Sequence, residues 1–333
     1  MKSIFSKCST ALLFNDEPTD SANPDFLYYC GCDVDNSILV LRKNSRILLT
    51  AKMNEKKAKQ QCKFKVISFT QKDIKTLIKK YAKGRVGIDF SSVSHARFLR
   101  LKKILKNKLV DISGDLSGAR AKKSKKEILK IKKSVFIAKK ILNEIEKSLN
   151  PSKTEIEIEK ELQLLCIKHK VEPSFPPIVA SGKNSANPHH NPCAKKLGKS
   201  IVLIDFGVKY QNYCSDLTRC FFLGECKKER EKYAQAQNIL RELVRKIPSL
   251  KTAAQLSKHA DKLTEKYGWG KMVHAIGHGV GLQVHESPLL YSKSKDSLKN
   301  AAIALEPGWY GRDFGVRYEE NVQISGNLKA KVL

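Results

Sequence analysis

The sequence predicts an α/β domain followed by a larger domain that combines helices with antiparallel strands. Short apolar strands alternate with amphipathic helices over residues 25–112, an order typical of an α/β unit. Over residues 128–169 the periodicity predicts two long helices, and the strand pairs that follow contain several glycines. Residues 113–127 are rich in Gly, Ser and Lys, so we expect the two domains to span residues 1–120 and 121–333.

The predicted strands of the first domain are short apolar runs bounded by turn residues. They cover residues 26–30, 37–42, 46–50, 64–69, 85–90 and 108–112. Apolar residues at helical spacing predict helices over residues 73–81 and 94–106. This domain carries no cluster of candidate catalytic residues. Cys30 and Cys32 only weakly suggest a metal site, because no second cysteine pair or nearby histidine completes it.

Four amphipathic helices are predicted in the second domain. Ser124 and Glu127 have the spacing of a capping box ahead of a helix over residues 128–149. Thr154 caps the next helix, which ends near residue 169. Two further helices cover residues 229–246 and 253–267, and two C-terminal strand segments cover residues 301–310 and 315–325.

Residues 201–223 contain two apolar runs that flank a turn, which predicts an antiparallel hairpin. If the turn centres between Tyr210 and Gln211, Asp205 lies directly opposite Asp216. Like charges at such positions are destabilising, so this register requires a cation between the two carboxylates. A register shifted by one or two residues, with one aspartate turned to solvent, is the alternative.

The chain is strongly basic, with 63 Lys and Arg against 33 Asp and Glu and a net charge of +30. The excess is spread along the sequence, at +13 in residues 1–120 and +17 in residues 121–333. A lysine-rich surface explains this distribution as well as a polyanion partner does. We therefore expect only non-specific, salt-sensitive contact with nucleic acid.

Cysteine usage and hydropathy bear on the environment of the protein. The nine cysteines are scattered without paired spacing, which favours reduced thiols over a disulfide framework. No apolar run approaches the roughly 20 residues that cross a membrane. The apolar patch near the N-terminus is too short for a signal-peptide core. These features predict a cytoplasmic protein without membrane attachment.

Five acidic and imidazole side chains near the ends of predicted strands are candidate metal ligands. They are Asp205, Asp216, His278, Glu306 and Glu319. A set of four carboxylates and one imidazole suits Mn²⁺, Co²⁺ or Fe²⁺ better than a structural zinc. Four carboxylates that converge on one point need more than one divalent cation, which suggests a two-metal site.

The motifs around these residues resemble those of the pita-bread metallopeptidases, which include aminopeptidase P, Xaa-Pro dipeptidase (prolidase) and methionine aminopeptidase. The motifs are Asp205-Phe-Gly, Tyr213-Cys-Ser-Asp216-Leu-Thr-Arg, Gly277-His278-Gly-Val-Gly-Leu-Gln-Val-His285-Glu, Glu306-Pro-Gly and Gly315-Val-Arg317-Tyr-Glu319. Their order and the ten-residue gap between the two aspartates match the family. Residues 29–33 and 85–89 more weakly resemble a creatinase-type N-terminal domain. The resemblance implies an α/β N-terminal domain followed by an α+β pita-bread metallopeptidase domain.

The resemblance also assigns the metal ligands. It implies that Asp205 and Asp216 chelate a first metal, and that Asp216 and Glu319 bridge to a second. His278 and Glu306 complete the second site. From the donor set we expect Mn²⁺ or Co²⁺, with Fe²⁺ or Zn²⁺ as alternatives. The resemblance implies that a hydroxide held between the two ions is the nucleophile.

The remaining catalytic roles come from the same resemblance. Glu306 doubles as the general base, and His189 and His285 bind the scissile carbonyl and the developing oxyanion. His274 lies near the metals. Arg317 orients a ligand carboxylate or meets the substrate.

The function that the resemblance implies is hydrolysis of the bond between an N-terminal residue and a following proline, by an Xaa-Pro aminopeptidase or dipeptidase. Some microbial prolidases have an arginine shortly after the His-Glu pair that binds a substrate carboxylate. Ser287-Pro288-Leu289 carries no such charge, which favours longer peptides. A homodimer is also implied. The alternatives are a non-catalytic pita-bread protein that binds nucleic acid or protein partners, and a methionine aminopeptidase.

Overall fold

The computed structural model of the protein describes residues 3–16, 22–106 and 108–333. The chain divides into two compact units, and the division falls between Arg120 and Ala121. Within the described residues, no helix has the length and apolar character of a membrane span.

The first unit contains six strands and six helices among its described residues. The strands are β1 (Thr10–Asn15), β2 (Ser37–Arg42), β3 (Ser45–Ala51), β4 (Lys65–Phe69), β5 (Val86–Ile88) and β6 (Leu109–Asp111). The helices are α1 (Ile4–Lys7), α2 (Pro24–Cys30), α3 (Glu55–Gln61), α4 (Ile74–Tyr81), α5 (His95–Leu105) and α6 (Ser113–Ala121). The strands form one sheet in the order β4-β3-β2-β1-β5-β6. β1, β2 and β3 are antiparallel neighbours, and the three other pairings are parallel.

Helices cover both faces of this sheet. In β2, Leu39 and Leu41 belong to a core cluster with residues of α2 and α6. Ile38 and Val40 belong to a second cluster, with residues of α4 and α5. Successive side chains of a strand point to opposite faces, so β2 is buried on both sides. The predicted α/β class of this unit is confirmed.

One local prediction for this unit was wrong. Residues 26–30 form part of α2 instead of a strand. Asn23 accepts hydrogen bonds from two backbone N–H groups of the first turn, Pro24 occupies that turn, and Gly31 ends the helix with a φ of 80°. The segment of residues 113–127, expected at the domain boundary, contains α6. The strand β1 and the helix α3 were not predicted.

The second unit contains four helices and thirteen strands. The helices are α7 (Lys125–Ser148), α8 (Glu155–Lys168), α9 (Lys227–Lys246) and α10 (Ala253–Lys266). The strands are β7 (Glu172–Pro173), β8 (Ile178–Ser181), β9 (Ile201–Phe206), β10 (Val208–Tyr210), β11 (Tyr213–Cys214), β12 (Leu217–Phe222), β13 (Gly277–Gly279), β14 (Glu286–Leu289), β15 (Ala302–Leu305), β16 (Gly308–Tyr310), β17 (Gly315–Arg317), β18 (Glu320–Ile324) and β19 (Ala330–Val332). All four predicted helices are present, and the capping boxes at Ser124 and Thr154 are confirmed.

Two antiparallel sheets of this unit position the site described below. Their strand orders are β12-β9-β8 and β14-β13-β15-β18-β19. The first sheet shares a hydrophobic core with α7 and α8, and the second shares one with α9 and α10. Because each sheet is held by its own pair of helices, the strand ends that meet between them are fixed in position.

The hairpin of Asp205 and Asp216 differs in register from the prediction. Asp205 lies opposite Thr218, two residues from its predicted partner. Gln211 and Asn212 form the turn, with φ values of 49° and 68° as a type I′ turn requires, so the turn centres one residue later. A shift of two residues keeps side chains on the same face. Both aspartates are therefore buried, with 9% and 4% of their surface exposed, and neither is turned to solvent.

Candidate metal centre

All five ligand candidates line one cavity of about 570 Å³ in the second unit. Asp205 lies near the end of β9, and Asp216 immediately precedes β12. His278 is the central residue of β13, Glu306 immediately follows β15, and Glu319 lies between β17 and β18. Each candidate is therefore placed by a strand, which limits its movement.

Two glycines allow β13 to carry His278 into this position. A Cβ atom on Gly277 would stand 2.0 Å from the carbonyl oxygen of Ala304 in the neighbouring β15. A Cβ atom on Gly279 would stand 2.4 Å from the carbonyl oxygen of Ser287 in β14. Side chains at either position would push β13 away from its neighbours, so the glycines on both sides of the histidine are required.

The ligand atoms of the candidates lie close together. Single carboxylate oxygens of Asp205, Asp216 and Glu319 lie within 4.8 Å of one another. His278 Nε2 is 3.4 Å from Asp216 Oδ2 and 3.9 Å from Glu306 Oε1. His278 Nδ1 donates a hydrogen bond of 3.1 Å to its neighbour's carbonyl oxygen, which leaves Nε2 as the atom able to bind a metal.

The buried carboxylates fit divalent cations. Asp205 Oδ1, Asp216 Oδ1 and Glu319 Oε1 are buried and accept no hydrogen bond from the described residues. Burial and the neighbouring carboxylates raise the pKa of Asp216 and of Glu319 well above their usual values. Burial raises the pKa of Glu306 to about 7. Oxygens that lack donors and repel one another in this way are the ligands that Mn²⁺, Mg²⁺ and similar hard cations prefer.

Arg317 and Thr218 hold two of these carboxylates in place. Arg317 Nη2 donates to Asp205 Oδ2 at 2.6 Å, and its Nε donates to Thr218 Oγ1 at 2.9 Å. The Thr218 hydroxyl in turn donates to Glu319 Oε2 at 2.7 Å. Arg317 Nη1 donates to the hydroxyl of Tyr310 at 2.7 Å. The sequence did not indicate Thr218 or Tyr310. Their roles depend on strand register and on contacts across the sheet, although the position of Thr218 opposite Asp205 would have followed from the correct register.

Three further histidines line the same cavity. The ring of His285 is 4.0 Å from the ring of His278, and Nε2 of His274 is 3.1 Å from the hydroxyl of Tyr310. Burial lowers the pKa of His274 and of His285 to about 4, so both are neutral at pH 7. His189 is exposed at the cavity wall. The structure thus brings together every site residue that the sequence indicated.

His190, the neighbour of His189, faces away from the cavity. Its Nε2 is 2.8 Å from Oε2 of Glu155, a fully buried carboxylate at the start of α8. Glu155 also accepts hydrogen bonds from the backbone and hydroxyl of Ser181 and from the amide of Asn184. Glu155 therefore anchors the segment that carries His189. No sequence pattern indicated this role, because Glu155 follows a capping threonine and resembles an ordinary first-turn acid.

The comparisons with known proteins agree with this arrangement. Residues 129–326 match the profile of Metallopeptidase family M24, and residues 6–122 match that of the Creatinase/Prolidase N-terminal domain. The chain is 30% identical to the Xaa-Pro dipeptidase of Pyrococcus furiosus over 317 residues, which is 92% of this chain and 90% of that protein. It is 35% identical to an uncharacterised peptidase of Methanocaldococcus jannaschii over 228 residues, and this match spans 65% of this chain and 64% of that protein.

A solved structure extends the similarity to the whole fold. The chain is similar to the crystal structure of the X-Pro aminopeptidase from Thermotoga maritima, with a TM-score of 0.87 and 26% identity. The match covers 100% of this chain and 97% of the aminopeptidase chain. The predicted combination of a creatinase-like domain with a pita-bread domain is confirmed. The chain therefore belongs to metallopeptidase family M24, with a creatinase/prolidase N-terminal domain ahead of its pita-bread domain.

Proposed function

We propose that this M24 peptidase hydrolyses the bond between an N-terminal residue and a following proline, with two divalent cations at the candidate metal centre. The observation that carries the proposal is the convergence of His278 with three carboxylates, each of which has one buried oxygen that accepts no hydrogen bond from the described residues. The relative from Pyrococcus furiosus, an Xaa-Pro dipeptidase by name, matches nearly the whole chain and supports the substrate class.

The ligand positions suggest how two cations would be shared. Asp216 belongs to a group with Asp205 and Glu319 and also to a group with His278. Asp205, Asp216 and Glu319 would hold one cation, and Asp216, His278, Glu306 and Glu319 would hold the other. The oxygen-rich donor set favours Mn²⁺ or Co²⁺. When bound, such cations polarise the scissile carbonyl and lower the pKa of an attacking water.

The side chains around the cations supply proton transfer and orientation. Glu306 lines the cavity, where its carboxylate could accept a proton and return it to the leaving amine. His189 and His285 reach the cavity, where each could donate a ring N–H group to the carbonyl oxygen of a substrate. His274 contacts the hydroxyl of Tyr310, and its Nδ1 is 3.8 Å from Glu306 Oε2.

The cavity wall favours peptides longer than two residues. Its apolar part suits a proline ring and includes Phe175, Ile178, Leu289, Leu290 and Tyr291. Arg317 is the one Lys or Arg among the described lining residues, and its guanidinium already binds Asp205. The free carboxylate of a dipeptide would therefore enter the cavity without a free lysine or arginine to pair with it, which is costly.

Kinetics on matched substrates test this proposal. We expect Xaa-Pro-Xaa tripeptides to be cleaved with a higher kcat/KM than Xaa-Pro dipeptides when Mn²⁺ or Co²⁺ is added. Dipeptides cleaved equally well would assign the chain as a dipeptidase. Failure to cleave either class would refute Xaa-Pro specificity, and peptides with N-terminal methionine would then test the alternative methionine aminopeptidase.

Variants of the ligands test the site itself. His278→Ala and Glu319→Ala should each abolish hydrolysis, and retained turnover would contradict the assignment. Glu159→Ala, a change on a partly exposed face of α8, is the control and should leave activity unchanged.

Three further predictions concern the whole chain: the domain limits of 1–120 and 121–333, a homodimer and a cytoplasmic location. Limited proteolysis, light scattering and cell fractionation, respectively, would check them.

A further inference from the structure

Three cysteines of the first unit bring their sulfur atoms together. Cys30 is the last residue of α2, Cys32 follows in the next loop, and Cys62 caps the C-terminus of α3. Cys32 Sγ is 2.6 Å from Cys62 Sγ and 3.3 Å from Cys30 Sγ. The sequence alone did not indicate a further residue that would join Cys30 and Cys32. The fold supplies Cys62 from 30 residues further along the chain.

Accessibility and distance make one pair of these thiols suitable for oxidation. Cys32 and Cys62 are partly exposed, whereas Cys30 is buried. A small movement would bring the Cys32 and Cys62 sulfurs from 2.6 Å to the covalent distance of about 2.05 Å. Reactive cysteines are typically accessible thiols that lie next to a second thiol able to complete a disulfide.

The ionisation of the pair assigns a role to each sulfur. The thiols of Cys30 and Cys62 each donate a hydrogen bond to Cys32. These hydrogen bonds lower the pKa of Cys32 to about 6, and the one from Cys30 has the larger effect. Burial raises the pKa of Cys62 to about 12. Cys32 therefore ionises more readily than Cys62, and it is the sulfur we expect to attack a disulfide, because only the thiolate attacks.

We propose that Cys32 and Cys62 form a redox-active pair that a low-molecular-weight disulfide oxidises to an intramolecular disulfide, with Cys32 as the attacking sulfur. The Cys32 thiolate attacks one sulfur of the reagent, forms a mixed disulfide and expels one thiolate. Cys62 then attacks Cys32 Sγ, forms the internal disulfide and expels the second thiolate. One reagent disulfide is reduced to two thiols. These take up the two protons that Cys32 and Cys62 have lost, and no metal takes part.

Thiol counting with oxidised glutathione on the metal-loaded full chain tests the proposal. The nine thiols should fall to seven, and tandem mass spectrometry should find a crosslink between Cys32 and Cys62 that dithiothreitol reverses. Cys62→Ser should stop at a glutathione adduct on Cys32. Cys32→Ser should keep all of its thiols, because the attacking sulfur is gone.

Two controls separate this pair from general thiol reactivity. Cys226→Ser removes a partly exposed cysteine outside the cluster and should still lose two thiols at the wild-type rate. Cys30→Ala should form the same crosslink more slowly, because one hydrogen-bond donor to Cys32 is removed. Oxidation spread over unrelated cysteines would overturn the proposal. So would a cluster that resists the reagent and retains a thiolate-bound metal in elemental analysis.

Discussion

The carboxyl groups of Asp216, Glu306 and Glu319 hold protons more strongly in the metal-free folded protein than in the unfolded chain. Burial is the main cause, and it raises the pKa of Glu306 to about 7. Because the folded state binds more protons, its stability without metal falls as pH rises from about 4.3, the usual value for a glutamate, through about 7. Cations bind the deprotonated groups and reverse this loss.

We therefore expect metal to stabilise the protein more at pH 8 than at pH 6. Thermal unfolding with and without a fixed concentration of free Mn²⁺ measures the increase in Tm at each pH. Glu306→Gln removes one titrating group and should reduce the difference between the two pH values. An increase in Tm that is the same at both pH values would show that these carboxyl groups do not control metal binding.

Thr218 connects Arg317 to the ligand candidate Glu319 through one hydroxyl group. It accepts a hydrogen bond from Arg317 and donates one to Glu319. Thr218→Val keeps the shape of the side chain but leaves both partners unsatisfied, and the loss of such a supporting contact typically weakens metal binding about tenfold to a hundredfold. Calorimetric titration with Mn²⁺ measures this effect. Thr218→Ser keeps the hydroxyl and should bind as the wild type does, whereas tight binding by the valine variant would contradict the role of the hydroxyl.

At the level of elements, α8 supports the segment of His189 through the buried carboxylate of Glu155. Glu155→Ala would leave Ser181, Asn184 and other donors without an acceptor, at a cost of about 1–3 kcal/mol for each unsatisfied group. We expect a lower Tm and a lower kcat/KM, since His189 loses its fixed position. Glu159→Ala, one turn along the same helix, should change neither. A Glu155→Ala enzyme with normal kinetics would show that the segment is held by other contacts.

The individual helices and strands also show where sequence patterns are sufficient to predict the structure. The long helices of the second unit were predicted because periodicity and capping boxes agree over several turns. Residues 26–30 were misassigned because a short aromatic run fits a strand or a buried helix equally well, and the cap at Asn23 decides between them. The hairpin register was wrong by two residues because the turn position depends on which residues adopt positive φ.

The candidate site was predicted more completely than the fold around it. Its ligands were indicated by motifs that keep fixed spacing within each segment, and a register error of two residues left the aspartates on the same face. Thr218, Tyr310 and Glu155 were missed, because each acts through a partner from a distant segment. The contact between Thr218 and Glu319, for example, joins residues 101 positions apart. Such contacts follow from the packing of whole sheets and have no local pattern.

At the scale of the molecule, the net charge of +30 affects how the protein associates with other molecules and not the chemistry of the site. The excess is divided between residues 1–120 and 121–333, and the described part of the metal centre is dominated by carboxylates. We therefore expect the positive charge to attract polyanions over long range without a specific binding site. Such binding is driven by counterion release and weakens steeply as salt is added.

We accordingly predict weak binding to DNA duplexes of any sequence, with the logarithm of the affinity falling linearly as the logarithm of the salt concentration rises. Fluorescence anisotropy with two unrelated duplexes between about 50 and 200 mM salt measures the slope and the sequence preference. His278→Ala should bind both duplexes as the wild type does, because the lysine-rich surface and not the cavity makes the contacts. Affinity that persists at the higher salt concentration, or that differs between the duplexes, would mean that part of the positive charge forms a specific nucleic-acid site.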